Sequence, residues 1–316
     1  MKTKKRSKSH TSHKSSGSNR NKRNKGNDLF EFSSALDLML AGHDQVIGSD
    51  FIMRKRDTLN ADIGHLNPDD LNTYDQAYID GLIHCQAKEC LTIPTDVELQ
   101  RLSNEYMKQR EILSAYHDEV VDIMIDYDTE AAKELGNFDP YIDKVVIRNQ
   151  AEMNFFYDYI TLYRTIKNKR VIINWRETHP DAVNQNNRQV VTALEQARFA
   201  ILRLDENLAH GGIRVTDMIT QKESLLIDKA LNRSRKEGMF FICSLLTMGK
   251  YVMTSGGGVP VDPKAAAGKS ALSLSQPYLA QLHNAQSAID ENVLQCVRKI
   301  YGLCLRGGAL SHITVH

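Results

Sequence analysis

Residues 95–127, TDVELQRLSNEYMKQREILSAYHDEVVDIMIDY, have the pattern of a long amphipathic helix. Thr95, with Glu98 three residues later, is typical of an N-terminal capping box, in which each side chain bonds the backbone N–H of the other. The apolar residues that follow recur at steps of three and four, which is the spacing of one helix face. They are Leu99, Leu102, Tyr106, Leu113, Tyr116, Val120, Ile123 and Tyr127.

Two further apolar stripes with helical spacing follow after short connections. The first runs over residues 142–163 and the second over residues 187–208. Because short connections between long amphipathic helices favour antiparallel neighbours, we predict a coiled-coil-like bundle over residues 95–211. Residues 28–94 carry shorter apolar groupings and are predicted to form short helices.

The pattern changes at Gly212, where short apolar or alternating runs are separated by turn-forming residues. We predict a small antiparallel β unit over 212–262, with a helix over Lys222 to Arg235 as an open alternative. A flexible loop is expected over 263–275, and apolar residues at heptad spacing predict a C-terminal helix over 276–305. The predicted fold class is therefore mainly α with a small β module (α+β).

The charge of the chain is segregated at its start. Residues 1–26 contain ten Lys and Arg and no Asp or Glu, whereas the whole chain has a net charge of +1, so the remainder has a net charge of −9. After Met1 this segment has no apolar residue, which predicts a disordered basic tail over 1–27. Such a tail attracts nucleic acid or another polyanion, although a solubility tail or a targeting signal has the same composition. The predicted polyanion-binding residues are Lys4, Lys5, Arg6, Lys8, Arg20, Lys22, Arg23 and Lys25.

Composition excludes several classes of protein. Hydrophobic residues make up 41% of the chain and charged residues 25%, which excludes a chain disordered throughout. Its five cysteines are an odd, scattered set, unlike the dense framework of a secreted domain, and none has Cys-x-x-Cys spacing. No run approaches 18 apolar residues, so we expect a cytoplasmic protein without membrane contact.

Residues 263–270, PKAAAGKS, end like a phosphate-binding loop. In such loops glycine N–H groups hold phosphates, while Lys and Ser contact the terminal phosphate and magnesium. The position of the first glycine is Pro263 here, and proline has no N–H to donate. We therefore predict neither nucleotide hydrolysis nor a cofactor.

Adjacent His and Asp residues occur at His43-Asp44 and His117-Asp118, and such pairs hold metal ions in some phosphohydrolases. Neighbouring residues of a helix diverge by about 100°, so a metal site needs ligands from other helices, for instance His84 and Asp122. No spacing enforces that convergence. We assign no metal ligand and no catalytic residue on this pattern.

The run over 212–261 resembles a small β module found in bacterial proteins associated with SEC-C motifs. The matching pieces are Val215-Thr216-Asp217-Met218-Ile219, Gly238 before an apolar run, and Tyr251 to Gly256. This resemblance implies a bacterial cytosolic protein with a binding role. The cysteines that bind zinc in the SEC-C motif are absent from the basic tail.

These observations favour a non-enzymatic binding or scaffold protein. Its helices would contact a protein partner or a second copy of the chain, and its tail would contact nucleic acid or another polyanion. Two alternatives stay open. One is a metal-dependent phosphohydrolase of the His-Asp type that uses His84, His117 and Asp118, and the other is a secreted effector of an intracellular bacterium.

Overall fold

A computed structural model of the chain contains nine α-helices and ten strands within the residues that it describes, which are 51–53, 74–126, 128–141, 143–147, 150–234, 237–284 and 291–306. The helices are α1 (Gln76–Ile83), α2 (Asp96–Asp126), α3 (Asp128–Leu135), α4 (Gln150–Leu162), α5 (Val171–Thr178), α6 (Arg188–Glu195), α7 (Lys229–Ser234), α8 (Ala266–Asn284) and α9 (Glu291–Arg306). The strands are β1 (Phe51–Met53), β2 (Phe138–Asp139), β3 (Lys144–Ile147), β4 (Thr165–Ile166), β5 (Lys169–Arg170), β6 (Arg198–Asn207), β7 (Gly212–Asp217), β8 (Lys222–Ile227), β9 (Phe240–Thr247) and β10 (Val252–Val261).

The long helix indicated by the sequence is present as α2. The hydroxyl of Thr95 accepts a hydrogen bond from the backbone N–H of Glu98 at 3.3 Å, which is the first half of the capping box. The two acidic residues of the first turn, Asp96 and Glu98, also suit the positive end of the helix dipole. The buried face consists of stripe residues that include Leu99, Leu102, Tyr106, Leu113, Tyr116 and Val120.

The predicted fold class, mainly α with a small β module, is wrong, and so are the rest of the bundle over 95–211 and the coiled-coil interpretation. After α2 the chain forms helices of 8 to 13 residues interrupted by strands, and a ten-residue strand replaces the end of the third predicted helix. The apolar stripes do mark buried positions, such as Val146, Phe156 and Ile160. Several short helices and strands supply these buried positions. The spacing of the apolar residues therefore indicated burial correctly, but it did not indicate continuous helices.

Five strands form a closed barrel in the order β10-β8-β7-β6-β9. All neighbours are antiparallel except β8 and β10, whose single aligned pair, Leu226 and Val252, is parallel. Helix α7 connects the third barrel strand, β8, to the fourth, β9. This is the topology of the OB fold, a five-stranded Greek-key barrel, and a fold of this kind does not by itself define a function.

The interior of the barrel is filled with side chains. Alternate residues of the strands form an apolar cluster separate from the one under the helices: Ala200, Leu202, Leu204, Ile213, Val215, Leu226, Cys243, Leu245 and Val252. The opposite strand faces, which include Phe199, Ile201, Ile242 and Met253, belong to the larger core that the helices cover. The barrel is therefore a packed unit wrapped in helices, and its lumen is core.

Strand β6 was predicted as helix because both of its faces are buried. Ala200, Leu202 and Leu204 point into the barrel, while Phe199 and Ile201 pack under the helices. A strand buried on both faces loses the alternation of polar and apolar residues and reads as a continuous apolar run. The sequence RFAILRL then matches a helical stripe equally well.

The small β unit predicted over 212–262 contains four of the five barrel strands, but it closes only by pairing with β6. The alternative prediction was a helix over Lys222 to Arg235. Its first half is the strand Lys222–Ile227, and its second half contains the helix Lys229–Ser234. The flexible loop predicted over 263–275 is wrong, because α8 begins at Ala266. Helices α8 and α9 together replace the single C-terminal helix that was predicted.

The remaining strands form two small sheets. Strand β3 pairs with β1 in parallel and with β2 in antiparallel orientation, and β4 pairs with β5. Within the ranges given above, the helices lack the combination of length and apolar character that crossing a membrane requires.

Candidate functional site

Helix α4 places an acidic residue against the barrel. Asp158 lies within the aromatic run FFYDYITLY (155–163), and only 5% of its surface is exposed. Ser255 on β10 donates a hydrogen bond to Asp158 Oδ2, and the backbone N–H of Gly257 on the same strand also bonds the carboxyl. A buried carboxyl therefore joins α4 to the barrel wall.

The approach of β10 to α4 depends on a glycine. A Cβ atom added at Gly257 would lie 2.8 Å from Asp158 Oδ2 and 2.9 Å from the backbone oxygen of Asn154. Both separations are shorter than real Cβ atoms show, and the second contact is to helix backbone, which cannot turn aside. The glycine thus allows the strand backbone to reach the carboxyl.

Three hydroxyl groups extend this contact to β9 and α9. The Ser244 hydroxyl on β9 hydrogen-bonds Asp158, accepts a hydrogen bond from the Tyr163 hydroxyl (3.0 Å) and lies 2.9 Å from the Tyr301 hydroxyl on α9. All three of these hydroxyl-bearing residues are buried. Asp158, Ser244, Ser255, Tyr163 and Tyr301 are called the buried polar junction below.

Burial raises the pKa of Asp158 to about 7, because the ionised carboxylate is removed from water. Hydrogen bonds from Ser255, Gly257 and Ser244, together with the positive charge of Arg110, lower this pKa and offset part of the effect. The carboxyl is therefore divided between its protonated and ionised forms near neutral pH. Burial also raises the pKa of the Tyr163 and Tyr301 hydroxyls and of the Cys243 thiol, which keeps these groups neutral.

A second chain of polar contacts runs beside the junction from α2 to α7. Arg110 on α2 donates a hydrogen bond to the backbone oxygen of Thr254 (2.8 Å), and the Thr254 hydroxyl donates to Asp228 Oδ2 (3.2 Å). The Asp228 carboxylate also accepts the backbone N–H groups of Ala230 and Leu231, so it caps the start of α7. Residues 254–257 of β10 thus connect three helices to the barrel.

The junction brings together a carboxyl whose pKa lies near 7 and two serine hydroxyls that form hydrogen bonds with it. Perturbed carboxyls are common in catalytic sites and also occur in structural networks. The hydrogen-bond partners of Asp158 named above come from the protein itself, and the carboxyl is almost fully buried. The arrangement therefore fastens helices α4 and α9 onto the barrel through hydrogen bonds.

The residues considered for a His-Asp metal site do not form one in the described part of the chain. His84 is the exposed C-terminal cap of α1. Burial, and then the positive charge of Arg110, lower the pKa of His117 to about 4, and that same cation disfavours a metal ion beside the imidazole. The side chains of Asp118 and Asp122 and the pair His43-Asp44 lie outside the described residues. No group of three or more His, Cys, Asp and Glu suited to a metal ion occurs among the residues that were described.

The segment PKAAAGKS does not cradle a phosphate in this fold. Helix α8 begins at Ala266, inside the segment. The Lys269 ammonium lies 4.6 Å from the centroid of the Tyr74 ring, and Ser270 is buried. The lysine and the serine are therefore engaged in packing α8 and not in forming an anion site.

A known protein family covers most of this architecture. The sequence profile of a family of unknown function, DUF7986, matches residues 100–287. The chain belongs to the DUF7986 family. No curated protein and no solved structure matches the chain.

The DUF7986 region contains the whole barrel, helices α3 to α8 and the junction residues from Asp158 to Ser255, whereas Tyr301 lies beyond it. The match carries no information about SEC-C motifs, so that resemblance stays a prediction. The eight cationic tail residues, Lys4 to Lys25, lie outside both the family match and the described residues, as do the tail and most of the short helices predicted over 28–94.

Sequence reasoning missed the junction, although a signal for it was present. In FFYDYITLY (155–163) one carboxyl stands among seven aromatic or aliphatic residues, and Asn154 and Thr161 are its polar neighbours on the same helix face, so the helix has only a narrow polar stripe. An acid in such a run is a candidate for burial, and a buried acid must be hydrogen-bonded. Its partners on β9 and β10 could not be identified, because they are about 90 residues away and come from the barrel that was not recognised.

Proposed function

We propose that this member of the DUF7986 family is a non-enzymatic binding protein, in which the barrel and its helices contact a protein partner and the basic tail contacts nucleic acid or another polyanion. The distribution of charge along the chain supports the proposed contact between the tail and a polyanion. Residues 1–26 contain ten cationic residues and no acidic residue, whereas the rest of the chain has a net charge of −9.

The charges of the barrel support this division of roles. Its five strands contain four cationic residues, and every one of them forms an ion pair with a carboxylate. The pairs are Arg198 with Asp217 (2.5 Å), Arg203 with Asp205 (2.6 Å), Arg214 with Glu206 and Glu223 (3.2 and 3.3 Å), and Lys222 with Glu89 (2.6 Å). A polyanion would have to displace these carboxylates before it could use the barrel cations, so the tail is the better attachment point.

The buried polar junction supports a body of fixed shape. Its hydrogen bonds connect α4 and α9 to β9 and β10, and burial of such a network is stable only when its members are mutually satisfied. A body of this kind suits the presentation of a surface to a partner.

Removal of residues 1–26 tests the polyanion role. Binding of a fluorescently labelled single-stranded oligonucleotide is measured by anisotropy for the full chain and for the truncated chain. We expect the truncated chain to lose at least about tenfold in affinity at low salt, because counterion release by the tail is lost. A full-length variant with Lys4, Lys5, Arg6 and Lys8 changed to Gln is the matched control, since it keeps the tail length and should lose an intermediate amount. Unchanged affinity after truncation would contradict the proposal.

A further inference from the structure

Strand β8 has an incompletely paired edge. One edge pairs with β7 along all six residues, whereas the other pairs with β10 at Leu226 alone. The first half of β8 therefore presents backbone groups that β10 does not satisfy, and such edges bind extended chains.

A short extended piece of the same chain, residues 88–91, lies along this edge and is called the edge segment. Glu89 forms a parallel bridge with Lys222. The backbone N–H of Lys88 donates to the Gln221 oxygen (2.7 Å), and the Glu223 N–H donates to the Glu89 oxygen (2.9 Å). The edge segment thus acts as an added strand next to β8.

Two side-chain contacts give this pairing its specificity. The Lys222 ammonium lies 2.6 Å from Glu89 Oε1, and both side chains are at least half exposed. The Glu223 carboxylate accepts the backbone N–H of Leu91 (2.8 Å), while the Leu91 side chain packs against the main core. The segment that pairs with this edge thus has an acidic residue followed two positions later by an aliphatic residue.

The edge segment lies at the surface of the protein. Lys88, Glu89 and Cys90 are exposed, and Leu91 is only partly buried. Few apolar contacts and solvent-exposed backbone hydrogen bonds are the features of a segment that opens at low cost. Ile93, which follows it, is 46% exposed.

We propose that the β8 edge is a strand-addition site for an extended peptide of a partner protein, occupied in the free protein by the edge segment. The partner peptide carries Asp or Glu where Glu89 lies and an aliphatic residue where Leu91 lies, so that it meets Lys222 with opposite charge. This inference rests on the proposed protein-binding role of the body and does not involve the tail.

The test uses a fluorescent peptide, QAKESLTI, which has the sequence of residues 86–93 with serine in place of Cys90, and the full-length protein. Lys88→Pro removes the N–H that bonds Gln221, whereas the matched control Lys88→Ala keeps it. Opening the edge in the Lys88→Pro chain should strengthen peptide binding by about tenfold or more relative to wild type, because the competent state becomes more populated. The Lys88→Ala chain should bind as wild type does.

A second comparison tests the charge contact. A peptide with lysine in place of Glu89 should bind the Lys88→Pro chain several-fold more weakly than the original peptide. Adding Lys222→Gln should abolish this difference between the two peptides, as expected if the contact is direct. Circular dichroism and amide exchange of the barrel strands establish that each variant is folded.

Equal peptide affinities for the Lys88→Pro and Lys88→Ala chains would overturn the proposal. So would a Lys88→Pro chain that forms dimers and does not bind the peptide, because the natural occupant of the edge would then be a second copy. Removing residues 1–26 should leave peptide binding unchanged, so a failure of this test and a failure of the polyanion test are separate results.

Discussion

Ser255 on β10 donates a hydrogen bond to the carboxyl of Asp158 on α4, and neither residue is more than 5% exposed. The two are 97 positions apart in the chain. Burial raises the pKa of this carboxyl to about 7 from its ordinary value of 3.8. The stability of the protein is therefore linked to the protonation of one side chain at the contact between a helix and the barrel.

This linkage predicts how Asp158→Asn changes stability with pH. An acid whose folded-state pKa is raised costs stability progressively as pH rises from about 4 to about 7, because the unfolded chain releases its proton first. The cost above pH 7 is on the order of 4 kcal/mol for a shift of this size. The substituted asparagine side chain carries no charge, so we expect the variant to gain stability relative to wild type at pH 8 and to gain little at pH 4.

Urea denaturation of wild type and Asp158→Asn at both pH values measures this effect as a difference between the two proteins. The difference is the proper quantity because His117 contributes with the opposite sign. A variant equally destabilised at both pH values would show that Asp158 is ionised and well paired throughout.

For His117→Gln we predict the opposite dependence of stability on pH. Burial, and then the charge of Arg110, lower the pKa of His117 to about 4, so the imidazole is neutral in the folded protein while the unfolded chain takes up a proton below about pH 6.5. The contribution of His117 to wild-type stability should fall as pH falls from 6.5 toward 4, so His117→Gln should gain stability relative to wild type over that range. His179→Gln, at an exposed histidine, serves as the control in the same denaturation series. Parallel pH profiles for wild type and His117→Gln would refute this prediction.

Gly257→Ala should destabilise the protein by about 1–3 kcal/mol, because the new Cβ would meet Asp158 Oδ2 at 2.8 Å and the Asn154 backbone oxygen at 2.9 Å. Gly81→Ala is the matched control. A Cβ at Gly81, inside α1, meets nothing within 4 Å, so this change should stabilise by up to about 1 kcal/mol through helix propensity. Both values come from thermal or urea unfolding, and equal effects at the two positions would disprove close contact of β10 with α4.

Arg203 on β6 holds the end of α1 against the barrel. Its Nη1 donates to the backbone oxygens of Ile83 (2.8 Å), the last residue of the helix, and of Cys85 (2.7 Å), which follows the helix. Arg203→Gln should cost about 1–3 kcal/mol and speed amide exchange in α1, because partly buried carbonyl groups lose a charged donor. Lys169→Gln, which breaks an exposed pair with Glu177, should leave the denaturation midpoint unchanged. Unaltered exchange in α1 would show that Arg203 does not hold the helix.

The part of the fold that the sequence predicts well is the part with one buried face. The sequence predicts a capping box and a single apolar stripe for helix α2, and the structure contains the stripe and the Thr95 half of the box. Strand β6 has two buried faces, so its sequence pattern fits a helix as well as a strand. Because β6 was predicted as helix, the prediction lacked the strand that closes the barrel. Closure also depends on the parallel contact between Leu226 and Val252, for which no local signal exists.

The buried polar junction is likewise predictable only in part from the sequence. The burial of Asp158 could be inferred from the aromatic run around it, whereas its contacts with Ser244 and Ser255 depend on long-range barrel topology. The tail is the reverse case: composition alone supports its proposed role, and its eight predicted contact residues lie outside the described residues.

The salt dependence of oligonucleotide binding tests the central claim. This claim is that the tail binds the polyanion, whereas the cations of the barrel strands are already paired with carboxylates. The logarithm of the binding constant is plotted against the logarithm of salt concentration, over roughly 50 to 200 mM, for wild type and for a variant with all ten Lys and Arg of residues 1–26 changed to Gln. The account predicts a steep slope for wild type that falls close to zero in the variant. An equally steep slope in both proteins would place the polyanion contact on the body and contradict the account.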